Sequence, residues 1–116
     1  MSAITRFEVN GEISSLTGPL GSVYNASINP APLSNVNLWG LGSKPHNAYL
    51  VNTTTFFNLI LPEIGSLSTN AKLGYNVNIT NSGIVNFVIR DFNNNFIVEL
   101  YPKKTVRLVA IDVFQN

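Results

Sequence analysis

Apolar and polar residues alternate one for one through much of this chain, most regularly between residues 53 and 114. In residues 74–80, Tyr75, Val77 and Ile79 fall on one side while Asn76, Asn78 and Thr80 fall on the other. Successive side chains of a strand point to opposite faces, so a period of two predicts a strand with one buried face. The same period recurs in Val85, Phe87 and Ile89, and in Phe96, Val98 and Leu100. Between these runs lie Asn81-Ser82-Gly83, Asp91-Phe92-Asn93-Asn94-Asn95 and Tyr101-Pro102-Lys103-Lys104, whose residues tolerate positive φ or, as Pro, fix φ and remove a donor. Short strands joined by short turns predict an antiparallel arrangement. The expected fold is therefore all-β: a single antiparallel β-sandwich or jelly-roll-like domain of about eight strands spanning residues 1–116, with 53–114 as its core meander.

The first half carries weaker signals. Residues 4–9 followed by Asn10-Gly11 predict a type I′ hairpin within residues 1–16, because Asn-Gly supplies two positive-φ positions; the alternative is an arm that docks on a neighbour. Residues 14–22 read as a loop, and 23–28 as a strand with Tyr24, Ala26 and Ile28 on one face, stopped by Asn29-Pro30-Ala31-Pro32. Strand resumes over 48–51 and 54–61, where Phe57, Leu59 and Leu61 share a face. The last run, 105–114, is apolar on both faces, with Val106, Leu108 and Ala110 opposite Val109, Ile111 and Val113. Such a strand wants cover on both sides: either the domain buries it centrally or a neighbouring chain covers the second face, and in that case Val109, Ile111, Val113 and Phe114 are the expected intersubunit contacts. No segment reads as a helix, and no internal repeat stands out.

Composition narrows the partners. A chain of 116 residues with 45% hydrophobic content can bury a core, yet only 11% of its residues are charged, against about 25% in ordinary domains. Seventeen Asn supply much of the polar surface. A net charge of +1 gives almost no long-range self-repulsion, which favours life in an assembly. Binding a polyanion needs clustered cations, and Lys103, Lys104 and Arg107 are the only such group, so no nucleic-acid partner is expected. No run approaches 18 apolar residues and residues 1–6 lack the apolar core of a signal peptide. Neither a membrane span nor export is expected, and synthesis in a host cytoplasm is.

Candidate chemistry is sparse. His46 is the only histidine and there is no cysteine, which leaves no His pair and no thiolate for a metal. The Asp91 turn lacks the Gly and terminal Glu of a calcium loop. No phosphate-cradling Gly loop and no Gly-x-Ser-x-Gly elbow is present. The expectation is a non-enzymatic protein without cofactor or metal. Trp39, the only tryptophan, sits beside Gly40 and reads first as a plug closing one end of the core. Its alternative is a sugar-stacking patch with His46, Asn47 and Tyr49.

The order of features over 54–114 carries a resemblance. It runs Thr55-Phe56-Phe57-Asn58-Leu59-Ile60-Leu61-Pro62, then Gly74 through Asn81-Ser82-Gly83, then Phe87-Val88-Ile89-Arg90-Asp91, then Phe96-Ile97-Val98-Glu99-Leu100-Tyr101-Pro102, then a closing apolar strand. This resembles a β-domain of virion proteins in tailed phages and large DNA viruses, found in tail-fibre, head-fibre and decoration proteins. That family has a strand ending Leu-Pro, a strand closing on Asn-x-Gly, an Asp-x-x-Gly/Asn turn and a Leu-x-Pro-Gly turn. Here Lys103 stands where the family often has Gly, and Asn94-Asn95 replaces the Gly of the preceding turn. The resemblance implies a homo-oligomer, commonly a trimer, on a virion surface. It would act as a capsid decoration (cement) protein contacting the major capsid protein or other virion proteins. The alternative is a fibre or receptor-binding module recognising host-surface carbohydrate.

Overall fold

The computed structural model describes residues 3–12, 23–42, 46–65 and 71–115, with the backbone alone for 3–12 and 112–115. Nine strands follow in order: β1 (Ala3–Glu12), β2 (Val23–Ile28), β3 (Asn35–Asn37), β4 (Ala48–Thr53), β5 (Asn58–Ile60), β6 (Asn76–Asn81), β7 (Phe87–Arg90), β8 (Phe96–Leu100) and β9 (Thr105–Gln115). A 3-10 turn, Leu38–Gly40, follows β3.

The strands form two mixed sheets, β1-β9-β6-β4-β2 and β3-β5-β7-β8. From β2 to β7 the chain steps from one sheet to the other at every connection. As a result β2, β4 and β6 pair in parallel in the first sheet and β3, β5 and β7 pair in parallel in the second. Three successive rungs are stacked in this way. Antiparallel strands then complete the sheets, β8 on β7 and β9 on β6, with β1 on the far side of β9.

This corrects the expected antiparallel sandwich or jelly roll. The period of two was read correctly and fixes which face each residue takes, but it carries no strand direction. Residues 54–57 read as part of a strand over 54–61, and only Asn81-Ser82-Gly83 as a turn between β6 and β7, so neither connection stood out as a crossing. Four or five extended residues also span the roughly 10 Å between packed sheets, so short connections are equally compatible with crossings. The repeat escaped notice because its spacing changes: Val23 pairs with Ala48 and Asn35 with Asn58, but Ala48 pairs with Asn78 and Asn58 with Val88. The expected N-terminal hairpin is also absent from the described residues. β1 runs through Asn10-Gly11 along β9, and the register shift between Val9 and Glu12 makes that pair a bulge.

Both sheets contribute to one core. Val77, Ile79 and Leu108 from the first sheet and Leu59, Phe87 and Ile89 from the second are fully buried, and Phe57 and Phe87 meet with ring centroids 5.2 Å apart. One alternation breaks. Phe96 was expected to face inward with Val98 and Leu100, but a register shift beside Ile89 and Arg90 inserts Ile97 and turns Phe96 outward, 59% exposed.

Parallel stacking sets the turns of successive rungs against one another. Leu33 N–H donates to Phe56 O at 2.9 Å, Asn58 N–H to Ser34 O at 2.9 Å, and Thr55 Oγ1 to Pro30 O at 2.6 Å. Thr54 and Asn29 also hydrogen-bond through their side chains. At the next rung Gly83 fits so closely that a Cβ there would meet Asn52 Oδ1 at 2.6 Å. Asn81, fully buried, fastens the same edge. Its Nδ2 donates to Val85 O at 2.9 Å and Leu100 O at 3.0 Å, and its Oδ1 accepts from Gly83 N–H at 3.0 Å.

Replacing Asn81 by Ala orphans two carbonyls and one N–H in a dry site. The expected cost is about 2–4 kcal/mol, read as a fall in the thermal midpoint on the order of 10 °C. Lys103 holds a φ of +67°, a conformation that costs a non-glycine residue about 1 kcal/mol or more. Lys103→Gly should therefore raise stability by roughly 0.5–1 kcal/mol in denaturant melts, whereas a loss would show that its Nζ bond to Ser82 O outweighs the backbone strain.

Candidate binding groove and assembly surface

The residues singled out for a sugar-stacking patch fall into two separate groups. His46 and Tyr49 come together: their rings meet edge to face at 5.7 Å, and the His46 N–H donates to Tyr49 Oη at 3.1 Å. Parallel pairing of β2 with β4 adds Tyr24 beside Tyr49, and Tyr24 stacks on His46 at 5.2 Å. Tyr49 is fully buried, so it presents no face to a ligand. Asn47 is exposed, and its carbonyl accepts the Asn78 N–H.

Trp39 packs elsewhere, on Tyr75, with ring centroids 5.7 Å apart and planes at 89°. It is half-buried against the core, which suits a plug. Trp39 Nε1 and Tyr75 Oη are both buried, and neither has a hydrogen-bond partner of ordinary geometry. Burial pushes the Tyr75 hydroxyl well above its usual range, only partly offset by the neighbouring indole N–H.

Trp39 also lines a groove of about 280 Å³ with Asn37, Gly40, Ile60, Leu61, Pro62, Glu63 and Phe92. The groove follows from the topology. β3, β5 and β7 run parallel, so the residues at and just beyond their C-terminal ends converge at one edge of the second sheet. Asn37 closes β3, Ile60 to Glu63 close and follow β5, and Phe92 follows β7 in a tight turn. Asp91 builds that turn: its buried carboxylate accepts the Asn93 and Asn95 N–H groups at 2.9 and 2.8 Å and Asn95 Nδ2 at 3.0 Å. Phe92 is thereby held out, 51% exposed.

The opposite edge carries the connections β2–β3, β4–β5, β6–β7 and β8–β9, as the strand directions require. Three of the four present a large apolar side chain to solvent: Leu33 at 69%, Ile84 at 83% and Tyr101 at 57%. Of the expected intersubunit residues, Val109 is half-buried and Ile111 exposed on the outer face of β9. Ile111 is the extra residue of the bulge opposite Arg6 and Phe7. The side chains of Val113 and Phe114 lie outside the described residues. Among the described residues no cluster of three or more His, Asp or Glu could hold a metal ion, and no helix is long and apolar enough to cross a membrane.

Comparison with protein-family models, with characterised protein sequences and with solved structures found no match. Sequence reasoning missed Asn37, Pro62, Glu63 and Phe92 as partners of Trp39. The signal was the stop that follows each of three strands, and it pointed to one place only once those strands were known to be parallel.

Tyr75→Phe removes a buried hydroxyl that makes no hydrogen bond of ordinary geometry, and should leave stability unchanged or raise it by up to about 1 kcal/mol, where a well-bonded tyrosine would lose that much. The sign of its pH dependence follows from linkage. With its folded-state value raised, Tyr75 contributes fully below the ordinary tyrosine value of 10.0, and that contribution is lost as pH rises above it. Chemical denaturation between pH 9 and 11 should show a steeper loss for the native chain than for Tyr75→Phe.

Proposed function

We propose that this chain is a non-enzymatic structural protein of a virion: a small capsid decoration (cement) protein, or in second place a fibre module. The observation that carries the reading is the exposed apolar row of Leu33, Ile84 and Tyr101 on the turn edge of an almost uncharged chain. Large apolar side chains presented together on a weakly charged surface mark an interaction face, because little charge repulsion opposes association. The turns that carry these residues are tied to neighbouring segments: the Leu33 N–H donates to Phe56 O in the β4–β5 turn, the Ser82 N–H to Val51 O, and Lys103 Nζ to Ser82 O, so the side chains are presented by a braced surface rather than by free loops.

The resemblance to virion β-domains gains a physical footing at the two positions where the sequence departs from that family. Asn94 and Lys103 both adopt positive φ, at +70° and +67°. These are the places where the family pattern carries Gly, the residue that takes this conformation without strain. Binding would act by burying the apolar row against the major capsid protein, or against a copy of this chain, and so bracing the shell. Assembly as a homotrimer and residence on the virion surface belong to the same proposal.

The direct test is immunogold labelling and mass spectrometry of virions purified from the source of this sequence. The chain should be present at a fixed ratio to the major capsid protein; its absence from particles would reject the assignment. Light scattering over a concentration series should show association of the purified chain, and Ile84→Asp together with Leu33→Asp should reduce it without lowering the thermal midpoint.

A further inference from the structure

We infer that the Trp39–Phe92 groove is a binding site for a neutral saccharide. Its floor and walls are carbon surface: Trp39, Ile60, Pro62 and Phe92. Because the Trp39 Nε1 is buried on the Tyr75 side, the indole offers the groove apolar ring surface rather than its N–H. The residues of the lining with polar side chains are Asn37 and Glu63, both exposed, which puts an amide and a carboxylate within reach of a ligand. Aromatic carbon flanked by an amide and a carboxylate matches the chemistry of a pyranose, which has C–H faces for rings and a rim of hydroxyls for hydrogen-bonding groups.

Size and charge narrow the ligand further. The volume of about 280 Å³ lies at the lower edge of the roughly 300–1,000 Å³ typical of small-molecule sites, which suits one or two sugar units rather than a long peptide. Among the described residues Glu63 is the only charged one in the lining, so an anionic sugar meets its negative charge. The site is also pre-formed. Trp39 is clamped by Tyr75, and Phe92 projects from a turn whose donors are bonded to Asp91, so binding orders little that was loose. The set differs from the patch expected from sequence, for it keeps Trp39 and drops His46, Asn47 and Tyr49.

The single tryptophan is a built-in reporter. Glucose, galactose, mannose, N-acetylglucosamine and N-acetylgalactosamine would be titrated into the full chain, following Trp39 fluorescence and amide NMR shifts. N-acetylneuraminic acid serves as the anionic probe, and choline and a proline-rich peptide as rivals. At least one neutral sugar should saturate with a Kd in the millimolar range, with shifts confined to the groove. Phe92→Ala and Asn37→Ala, both at exposed positions, should each weaken it about tenfold while the remaining NMR spectrum stays native. The inference fails if no neutral sugar saturates, if the shifts lie outside the groove, if Phe92→Ala binds equally well, or if choline, the peptide or the anionic sugar binds in preference. It does not rest on the virion assignment, since sugar binding by a chain absent from particles would leave the groove standing and reject only the other proposal.

Discussion

One amide joins the two sheets. Asn81 ends β6 with its side chain turned into the core, where it holds the connection to β7 through Val85 and Gly83 and the end of β8 through Leu100. Its backbone holds the following turn as well, donating to Lys104 O at 2.9 Å and accepting from the Lys103 N–H at 2.7 Å. Strands of both sheets and two crossings therefore converge on a single residue. In an apolar interior each of these groups would be costly alone, and together they leave the chain few other ways to pass between the sheets. The polar ladder outside is looser by comparison: Asn58 bridges Asn35 and Arg90 on the solvent face of the second sheet, where water can replace any member.

Much of the local structure was legible in the sequence, and the reason is geometric. Period-two alternation placed Val77, Ile79, Leu59, Leu61, Leu108 and Ala110 on buried faces, and all of them are buried. The turns at Ser82-Gly83 and Asp91-Phe92 also fall where their residues indicated. Strand direction was not legible, because a strand reads the same in either sense and short connections serve hairpins and crossings alike. The two bulges were hidden for a related reason. A one-residue insertion shows only against the partner strand, so Ile97 and Ile111 look like ordinary members of their alternations.

The candidate site inherits this limit. Trp39 stood out as a solitary large aromatic, whereas Ile60 to Glu63 and Phe92 are more than twenty residues away in sequence and meet it only through parallel pairing. The same stacking that assembles the groove at one edge assembles the apolar row at the other. The groove gathers the C-terminal ends of β3, β5 and β7 while the apolar side chains sit on turns at the other ends of the strands, so the two faces are set apart by the length of the strands.

The pairing of β1 with β9 brings Ala3 opposite Gln115. Because β9 lies between β1 and β6, the first sheet stays in two pieces until the last eleven-residue strand is in place. During synthesis, with the chain growing from its N-terminus, the rungs built by β2 to β7 can stack while β1 still lacks its neighbour. Closing that loop joins residues almost the full chain apart, an entropic toll that slows folding far more than the local rungs do. The protein should thus mature as a nearly finished stack awaiting β9, with β1 unpaired until that strand arrives.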